Sequence, residues 1–298
     1  MSLNLDLLSN KFNKKFTSFK KIYDGFDNNI SVLTDEDNVK YIYRESLRDK
    51  PIEDMLFEKN FSEYLLQNNI PVRRILYMGT ETLLEFCDGK SCQHGQITNM
   101  MAFNAGKILA KFHTVSKNFN VPPLPERKIE SELLRAISIK DKLENTYING
   151  KEFIDTVEKL LKSNFLHESS TCIIHNDFRI QNVLFNGEEI SAILDFDWSC
   201  MGNSLKDLAH ALVEWSFPDG GKFNSEIFKN FFKGYCACIP NIDLNALKYW
   251  IAFSCISDTA TYLCDTINDV PAGGKILSWM YSKYLSLRDQ DITKLTEQ

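Results

Sequence analysis

Hydrophobic and polar positions alternate along the first third of the chain, which is the pattern of β-strands with one buried face. Four β-rich runs are predicted strands, and they are Ile30–Thr34, Val39–Arg44, Ile75–Met78 and Thr82–Phe86. A helix from Ile52 to Gln67 is predicted between the second and third strands, and Asn68 to Pro71 ends it. This order predicts a small antiparallel sheet with its helices on one side.

After Asp88–Gly89 the pattern changes, and apolar residues recur at helical spacing from Met101 to Phe112. Further helices are predicted at Ser131–Glu144, Glu152–Leu161, Ser204–Trp215, Ser225–Cys238, Leu244–Cys264 and Ile276–Leu287. One β interruption, Cys172–Leu194, contains two apolar runs joined at Asn186–Gly187, a strong hairpin signal. We therefore predict an α+β protein with an N-terminal lobe, residues 1–88, and a larger, mostly helical lobe, residues 89–298, with the boundary near Asp88 to Gln93.

Composition and charge exclude several classes of protein. The 298 residues carry a formal net charge of −6 with no long run of Lys or Arg, which disfavours nucleic acid as the main partner. No stretch approaches the roughly 20 apolar residues that cross a bilayer, and Met1–Leu8 is too short and too acidic for a signal peptide. The eight cysteines include no CxxC pair, so we expect reduced thiols in a cytoplasmic protein.

One segment carries recognisable chemistry. His175-x-Asp177-x-x-x-x-Asn182 is followed, thirteen residues after Asn182, by Asp195 between apolar neighbours. Phosphoryl transfer requires a carboxylate that orients the attacking hydroxyl, oxygen ligands for Mg²⁺ and cations for the phosphate charge. We interpret Asp177 as the catalytic base, and Asn182 and Asp195 as metal ligands that a tight hairpin brings together. Arg179 either reaches the transferring phosphoryl group or lies in solvent.

Structural explanations compete at each of these positions. The structural alternative is that Asp177 caps a turn and that Asp195 ends a buried strand with local hydrogen bonds. His175 is interpreted as a scaffold histidine that hydrogen-bonds the loop backbone. Asp207, three residues after Ser204, reads as part of a capping-box-like helix start.

The segment of residues 175–200 resembles the aminoglycoside phosphotransferase family, which includes choline kinases and a homoserine-kinase branch that is most similar in pattern. It reads HNDFRIQNVLFNGEEISAILDFDWSC. The resemblance extends, more weakly, to Glu58, Ile70–Val72, Leu84–Gly89, Gly106–His113, Asp207–Ala209, Glu214–Ser216 and Asp219–Gly220. It implies a two-lobed protein-kinase-like fold and an ATP- and Mg²⁺-dependent transfer of phosphate to a hydroxyl of a small molecule.

The resemblance also implies how nucleotide is bound. Glu85, Phe86 and Cys87 would form the hinge that meets adenine, and Glu58 would pair with a cation on the preceding strand. The family usually has Lys there, whereas this chain has Arg44, with Lys40 on the same strand face as the reserve candidate. No glycine-rich GxGxxG motif is present, and residues 23–29 stand where the phosphate-covering loop is expected.

Acceptor specificity is expected from the helical region after Asp195. Its acidic and aromatic candidates are Asp197, Trp198, Glu214, Asp258 and Tyr262. Carboxylates and aromatic rings together suit an amine or quaternary ammonium, although each carboxylate is also typical of a solvated helix face. Arginines are scarce nearby in sequence, which argues against homoserine, whose carboxylate needs a cationic partner.

We therefore expect a small-molecule kinase with an aminoglycoside-, choline- or homoserine-like acceptor. A protein kinase is disfavoured, because no Ala-Pro-Glu follows Asp195 and Asp207 comes only twelve residues later. The alternative is a pseudokinase-type module that binds nucleotide without turnover, suggested by Arg44 and by the missing glycine-rich loop.

Overall fold

The computed structural model describes residues 3–24, 28–92, 96–167, 169, 172–218 and 221–297. Its N-terminal part contains a five-stranded antiparallel sheet in the order β1-β2-β3-β5-β4. The strands are β1 (Phe16–Asp24), β2 (Asn28–Asp35), β3 (Lys40–Ser46), β4 (Ile75–Tyr77) and β5 (Glu81–Glu85). The predicted phosphate-covering loop includes residues 25–27, and these, like Gln93, Asp219 and Gly220, lie outside the described residues.

The sheet has two different faces because side chains alternate along each strand. Tyr41 and Tyr43 of β3 join a small core on one face, which helix α1 (Leu5–Phe12) covers. Ile42 and Arg44, one residue out of phase with them, line a cleft on the other face. This alternation therefore directs the side chain of Arg44 toward the cleft and away from the small core.

Two N-terminal elements were not predicted from the sequence. Helix α1 has only eight residues and buries one of them, Leu8, so its periodicity is short and weak. Strand β1 is an edge strand, and Lys20 and Lys21 interrupt its apolar alternation. Both elements depend on packing against the sheet rather than on a strong local pattern.

Helix α2 runs from Ile52 to Gln67, as predicted. Its buried positions include Phe57, Phe61 and Leu65, which pack into the main core of the molecule. The Phe61 ring lies 5.7 Å from the ring of Phe112 and 5.9 Å from that of Phe196. Glu58, on the same helix, is the one charged residue that α2 buries, which sets it apart as a site residue.

The C-terminal part is mainly helical. Its helices are α3 (Asn99–Ser116), α4 (Ser131–Ser138), α5 (Lys140–Thr146), α6 (Gly150–Leu161), α7 (Ser204–Ser216), α8 (Ser225–Cys236), α9 (Leu244–Asp265), α10 (Val270–Arg288) and α11 (Ile292–Thr296). The predicted helix Ser131–Glu144 is wrong as one element, because the chain breaks it at Ile139. Among the described residues, no helix combines the length and the apolar character that crossing a bilayer requires.

Helices α3 and α8 approach closely because each has a glycine at the crossing. A Cβ added at Gly106 would lie 1.9 Å from the main-chain oxygen of Phe231, and one at Gly234 would lie 1.9 Å from that of Phe103. Neither position has room for any side chain, so backbone packs directly on backbone.

Short β elements in this part carry the segment with the candidate chemistry. Strand β7 (Cys172–Ile174) pairs with β10 (Cys200–Gly202), and β8 (Val183–Asn186) forms a hairpin with β9 (Glu189–Ile193). The short strand β6 (Lys90–Ser91) pairs with β8. The hairpin predicted at Asn186–Gly187 is thus present, with Gly187 at a φ of 63° in the turn. The loop from β7 to β8 and the residues after β9 are brought side by side.

Candidate active site

Asp177 lies in the loop between β7 and β8, and two neighbours in the chain hold its carboxylate. Asn182 donates from Nδ2 to Oδ2 of Asp177 at 2.8 Å and to the main-chain oxygen of Asp177 at 2.9 Å. Arg179 donates from Nη2 to the same Oδ2 atom at 2.9 Å. The carboxylate is therefore fixed in orientation, and it faces a cavity on its other side.

His175 is a buried ring that ties this loop to the segment before Asp195. Its Nδ1 accepts the main-chain N–H of Asp177 at 3.3 Å, so Nε2 carries the hydrogen and donates to the main-chain oxygen of Leu194 at 2.9 Å. Burial lowers the pKa of His175, which keeps the ring neutral. These contacts are those of a scaffold residue rather than of a base facing a ligand.

Asp207 of α7 holds the start of the same loop. Its carboxylate accepts the main-chain N–H groups of His175 and Asn176, each at 2.8 Å, and Nε2 of His113 lies 2.9 Å away. Burial alone would raise the pKa of Asp207, but hydrogen bonding to His113 and the two main-chain groups outweighs it and lowers the pKa well below its usual range.

The capping-box reading of Asp207 is wrong. The side chain of Asn203 caps α7 by accepting the N–H of Leu205 at 2.8 Å, and the Asp207 carboxylate points away from its own helix end to the loop. Asn176, one of its partners, has a φ of 64°, a backbone conformation that needs such support in a residue with a side chain.

Asn182 and Asp195 line the same cleft. A main-chain hydrogen bond holds their segments together, because the N–H of Leu194 donates to the main-chain oxygen of Asn182 at 2.8 Å. The amide nitrogen of Asn182 is occupied by Asp177, so its amide oxygen remains for a cation. Burial, and then the nearby charge of Asp197, raises the pKa of Asp195 to about 6. A buried carboxylate and an amide oxygen that line the same cleft fit Mg²⁺, which takes few protein ligands and keeps several waters.

No cluster of three or more His, Cys, Asp or Glu side chains that could hold a metal ion occurs in the described parts of the chain. Structural zinc sites, which need three or four such ligands, are therefore not represented there. A pair made of one carboxylate and one amide is a hard, oxygen-only site, and this chemistry agrees with Mg²⁺ rather than with a thiolate-binding metal.

Arg44 and Glu58 form a buried, two-pronged ion pair across the cleft. Arg44 Nη1 lies 2.8 Å from Oε1 of Glu58, and Nη2 donates to Oε2 at 2.9 Å. Burial alone would raise the pKa of Glu58, but Arg44 and Lys50 lower it to about 2. The expected pairing of Glu58 with a cation on the preceding strand is thus present geometrically, with Arg44 as that cation.

Lys50 was missed from the sequence. Its ammonium group lies 2.6 Å from Oε2 of Glu58 and 2.5 Å from Oδ1 of Asp197, which is 147 residues away. Arg44 Nη1 is also 3.8 Å from Oδ1 of Asp197. Asp197, predicted as an acceptor-binding residue, is therefore engaged by cations of the N-terminal part, and no local pattern around Lys50 signals this long-range contact.

The reserve candidate Lys40 lies elsewhere. It is exposed at the start of β3, and its Nζ sits 5.4 Å from the centre of the Phe86 ring. The hinge candidates Glu85, Phe86 and Cys87 end β5 and follow it, and Tyr41 of β3 pairs with Glu85. Lys40 therefore lies beside the hinge candidates, whereas the partners of Glu58 are Arg44 and Lys50.

Two cavities meet at the loop that carries Asp177. The first, of about 600 Å³, is the cleft beneath the sheet, and it is lined by apolar side chains such as Ile42 and Leu84 together with Arg44, Asn182 and Asp195. The second, of about 540 Å³, lies beyond the loop and includes Asp177. Arg179 lines both cavities. The geometry thus offers one ligand space on each side of one short loop.

The second cavity contains four of the five predicted acceptor residues, which are Trp198, Glu214, Asp258 and Tyr262. Two of these carboxylates already have partners. Glu214 accepts from Nζ of Lys283 at 2.8 Å, and Oδ2 of Asp258 lies 3.7 Å from Nε2 of His210. Burial raises the pKa of Asp258. The acidic groups are therefore less available to a cationic ligand than the sequence suggested.

Arginines are scarce in the helical region after Asp195, but they are not scarce around this cavity, so the expectation that it lacks a cationic partner is wrong. Arg127 and Arg179 line it together with Lys128 and Lys206. The guanidinium of Arg127 stacks 4.8 Å from the Trp198 ring and donates to the main-chain oxygen of Asp197 at 2.6 Å. Arg127 comes from the connection before α4, far in sequence from the helices that follow Asp195.

Comparison with known proteins identifies the family. Residues 18–240 match the phosphotransferase enzyme family. A homoserine kinase from Methylocella silvestris is 38% identical over 82 residues, 28% of this chain and 26% of that protein. One from Neisseria meningitidis is 28% identical over 144 residues, 46% of this chain and 44% of that protein. The chain thus matches less than half the length of these two curated relatives.

A solved amicoumacin kinase, in complex with AMP-PNP and Ca²⁺, has the same fold. It has 16% sequence identity and a TM-score of 0.74, and the match covers 98% of this chain and 96% of that one. The α+β, protein-kinase-like fold predicted from the sequence is confirmed, and so is the family resemblance. Because the matching residues make up most of its length, the protein belongs to the phosphotransferase enzyme family (APH).

Proposed function

We propose that the protein is a cytoplasmic, ATP- and Mg²⁺-dependent kinase that transfers the γ-phosphoryl group to a hydroxyl of a small molecule. The observation that carries this proposal is the position of Asp177, which lines the second cavity while Asn182 and Arg179, which hold its carboxylate, line the first. One cavity suits nucleotide and the other an acceptor, so the carboxylate lies where their reacting ends would meet. Homoserine kinases among the relatives, and AMP-PNP in the amicoumacin kinase, agree with this reading.

The chain supplies each chemical part of the reaction. Asp177 would orient the attacking hydroxyl and accept its proton, while Arg179, which reaches both cavities, would face the charge that develops on the transferring group. Asn182 and Asp195 would hold Mg²⁺, which offsets phosphate charge when it is bound. The main chain of Glu85, Phe86 and Cys87 would meet adenine in the apolar end of the cleft.

The acceptor that we propose is a small, amine-bearing alcohol of the aminoglycoside, choline or homoserine kind. Glu214, Asp258, Trp198 and Tyr262 offer acidic and aromatic surface for its amine. Arg127 and the other cations of the cavity would bind a carboxylate as well. An acceptor that carries both an amine and a carboxylate, such as homoserine, therefore suits the lining of this cavity better than the sequence alone indicated.

Measurement of ADP release with a panel of amino alcohols tests the proposal. Replacement Asp177→Asn removes the base without changing the shape of the side chain, and we expect turnover to fall at least about 100-fold. Nucleotide affinity should stay within about twofold, because Asp177 faces the acceptor side. Asp155→Asn, on the exposed face of α6, is the matched control and should keep the wild-type rate.

The same assay distinguishes the kinase from the alternative of a pseudokinase-type module. A protein that binds ATP with Mg²⁺ but releases no acceptor-dependent ADP would support that alternative and refute the kinase proposal. A wild-type rate in Asp177→Asn would show that this carboxylate is not the base.

A further inference from the structure

Glu58 has two cationic partners where one would neutralise it. Arg44 uses both terminal nitrogens of its guanidinium on the two carboxylate oxygens, at 2.8 and 2.9 Å. Its side chain is only 11% exposed. This two-pronged geometry is a strong one for an arginine and a carboxylate, and it fixes the plane of the Arg44 guanidinium on Glu58. Arg44 thus holds α2 against the sheet, and a second, less constrained cation beside it is better suited to contact a phosphate.

Lys50 has the properties of that second cation. Its ammonium lies between Glu58 and Asp197, at 2.6 and 2.5 Å, and its side chain is 15% exposed. Residues 47–51, between β3 and α2, have no regular secondary structure. An ammonium on a four-carbon stem, attached to such a connection, changes partners more readily than a guanidinium held in a fork.

The charges around Lys50 favour an exchange of partners. Asp197 is two residues from Asp195, and Oδ1 of Asp195 accepts the main-chain N–H of Asp197 at 3.3 Å. Two carboxylates this close repel each other in the absence of added cations. Asp195 would hold the metal ion that accompanies a nucleotide, and a phosphate group in the cleft would add negative charge near the contacts of Lys50 with Glu58 and Asp197. Lys50 can then keep Glu58 and replace Asp197 with a phosphate oxygen.

We propose that Lys50, rather than Arg44, is the side chain that binds the phosphates of the nucleotide, and that it does so by leaving Asp197. This inference rests on the proposed function, because it assumes that a nucleoside di- or triphosphate occupies the cleft. It assigns different roles to the two cations: Arg44 positions Glu58, and Lys50 contacts ligand. It also gives Asp197 a role on the nucleotide side, as the carboxylate that holds Lys50 until phosphate arrives.

Titration calorimetry with adenosine, ADP and ATP, with and without Mg²⁺, tests the inference. In Lys50→Met, the affinity for ADP and ATP should fall about 10- to 100-fold, the range for one charge-assisted hydrogen bond. The affinity for adenosine should stay within about twofold, since adenosine has no phosphate. Arg44→Met should keep the wild-type ratio of ADP to adenosine affinity, even if it lowers stability. Lys15→Met removes an exposed lysine paired with Glu36 and is the matched control.

Asp197→Asn gives an independent readout. It removes the competing carboxylate, so ADP should bind more tightly than in the wild type. In a Lys50→Met background the same change should tighten ADP less, because no ammonium remains to be released. If Lys50→Met unfolds, Lys50→Gln in the same ligand series takes its place, with the thermal midpoint as the check on folding.

The outcomes separate the inference from the proposed function. A wild-type protein that binds neither ADP nor ATP refutes the proposed function itself. A wild type that prefers ADP to adenosine, with a Lys50→Met variant of unchanged preference, overturns the inference and leaves the kinase proposal standing. Equal losses for adenosine and ADP in that variant also overturn it, since they indicate that Lys50 only supports the shape of the cleft.

Discussion

Replacement of Asp207 by asparagine should release the loop that carries Asp177. The carboxylate receives three donors: main-chain N–H groups of His175 and Asn176 at 2.8 Å each, and Nε2 of His113 at 2.9 Å. Asparagine has the same shape, but one of its two terminal atoms is an NH₂ group that cannot accept. At least one of the three buried donors then faces the NH₂ group of asparagine instead of an acceptor. The remaining hydrogen bonds have a neutral acceptor instead of a charged one.

The expected magnitude follows from these three bonds. A buried donor left without a partner costs about 1–3 kcal/mol, and two bonds that change from charged to neutral acceptors lose about 1 kcal/mol each. The sum, about 3–5 kcal/mol, equals the usual penalty for removing one member of a buried ion pair. Tyr235→Phe is the matched control, because it removes the hydroxyl 2.8 Å from Nδ1 of His113 and leaves the loop contacts intact; its expected loss is about 1 kcal/mol.

Urea unfolding followed by circular dichroism measures the two losses, and amide hydrogen exchange locates them. Asp207→Asn should lower the free energy of unfolding more than Tyr235→Phe does, and it should remove protection from the amides of His175 and Asn176. Turnover should fall with little change in KM for nucleotide, because the loop that holds Asp177 loses its orientation. An Asp207→Asn protein with protected amides at 175 and 176, or with a smaller loss than Tyr235→Phe, would refute this reasoning.

Two further predictions concern stability. Burial opposes ionisation of Glu58, but Arg44 and Lys50 lower its pKa from an ordinary 4.5 to about 2. The ionised carboxylate therefore contributes about 3 kcal/mol to the free energy of unfolding above pH 4.5, and this contribution is lost as the pH falls toward 2. The difference in unfolding free energy between wild type and Glu58→Gln should therefore shrink between pH 5 and pH 3, and a difference that is constant over this range would contradict the pairing. Gly106→Ala should destabilise by several kcal/mol, roughly as for an overpacked core, because its Cβ would lie 1.9 Å from the main-chain oxygen of Phe231. At Gly274 in α10, an added Cβ would meet no other part of the protein within 4 Å, so Gly274→Ala should instead raise the thermal midpoint through about 1 kcal/mol of helix propensity. Equal effects of the two changes would count against this packing.

Local patterning was sufficient for much of the fold and for the central loop. The bounds of α2 were predicted to the residue, Ile52–Gln67, because its apolar spacing and the following Asn-Asn-Ile-Pro act within a few residues. The motif from His175 to Asp195 is likewise compact, and its hairpin folds on itself. Elements with weak patterns, such as α1 and β1, were missed because their stability comes from the sheet on which they pack.

The sequence by itself determined the α+β class, the family and the segment with Asp177, Asn182 and Asp195. The patterns that predict them join residues within some twenty positions of one another. Only the tertiary structure decided which charges meet. Lys50 reaches Asp197 across 147 residues, and Arg127 reaches it across 70. Ion pairs of this kind carry no periodic signal, because they depend on how whole elements dock and not on spacing along the chain. That is why Asp197 pairs with Lys50 instead of lining the second cavity with the other predicted acceptor residues, and why cations line that cavity.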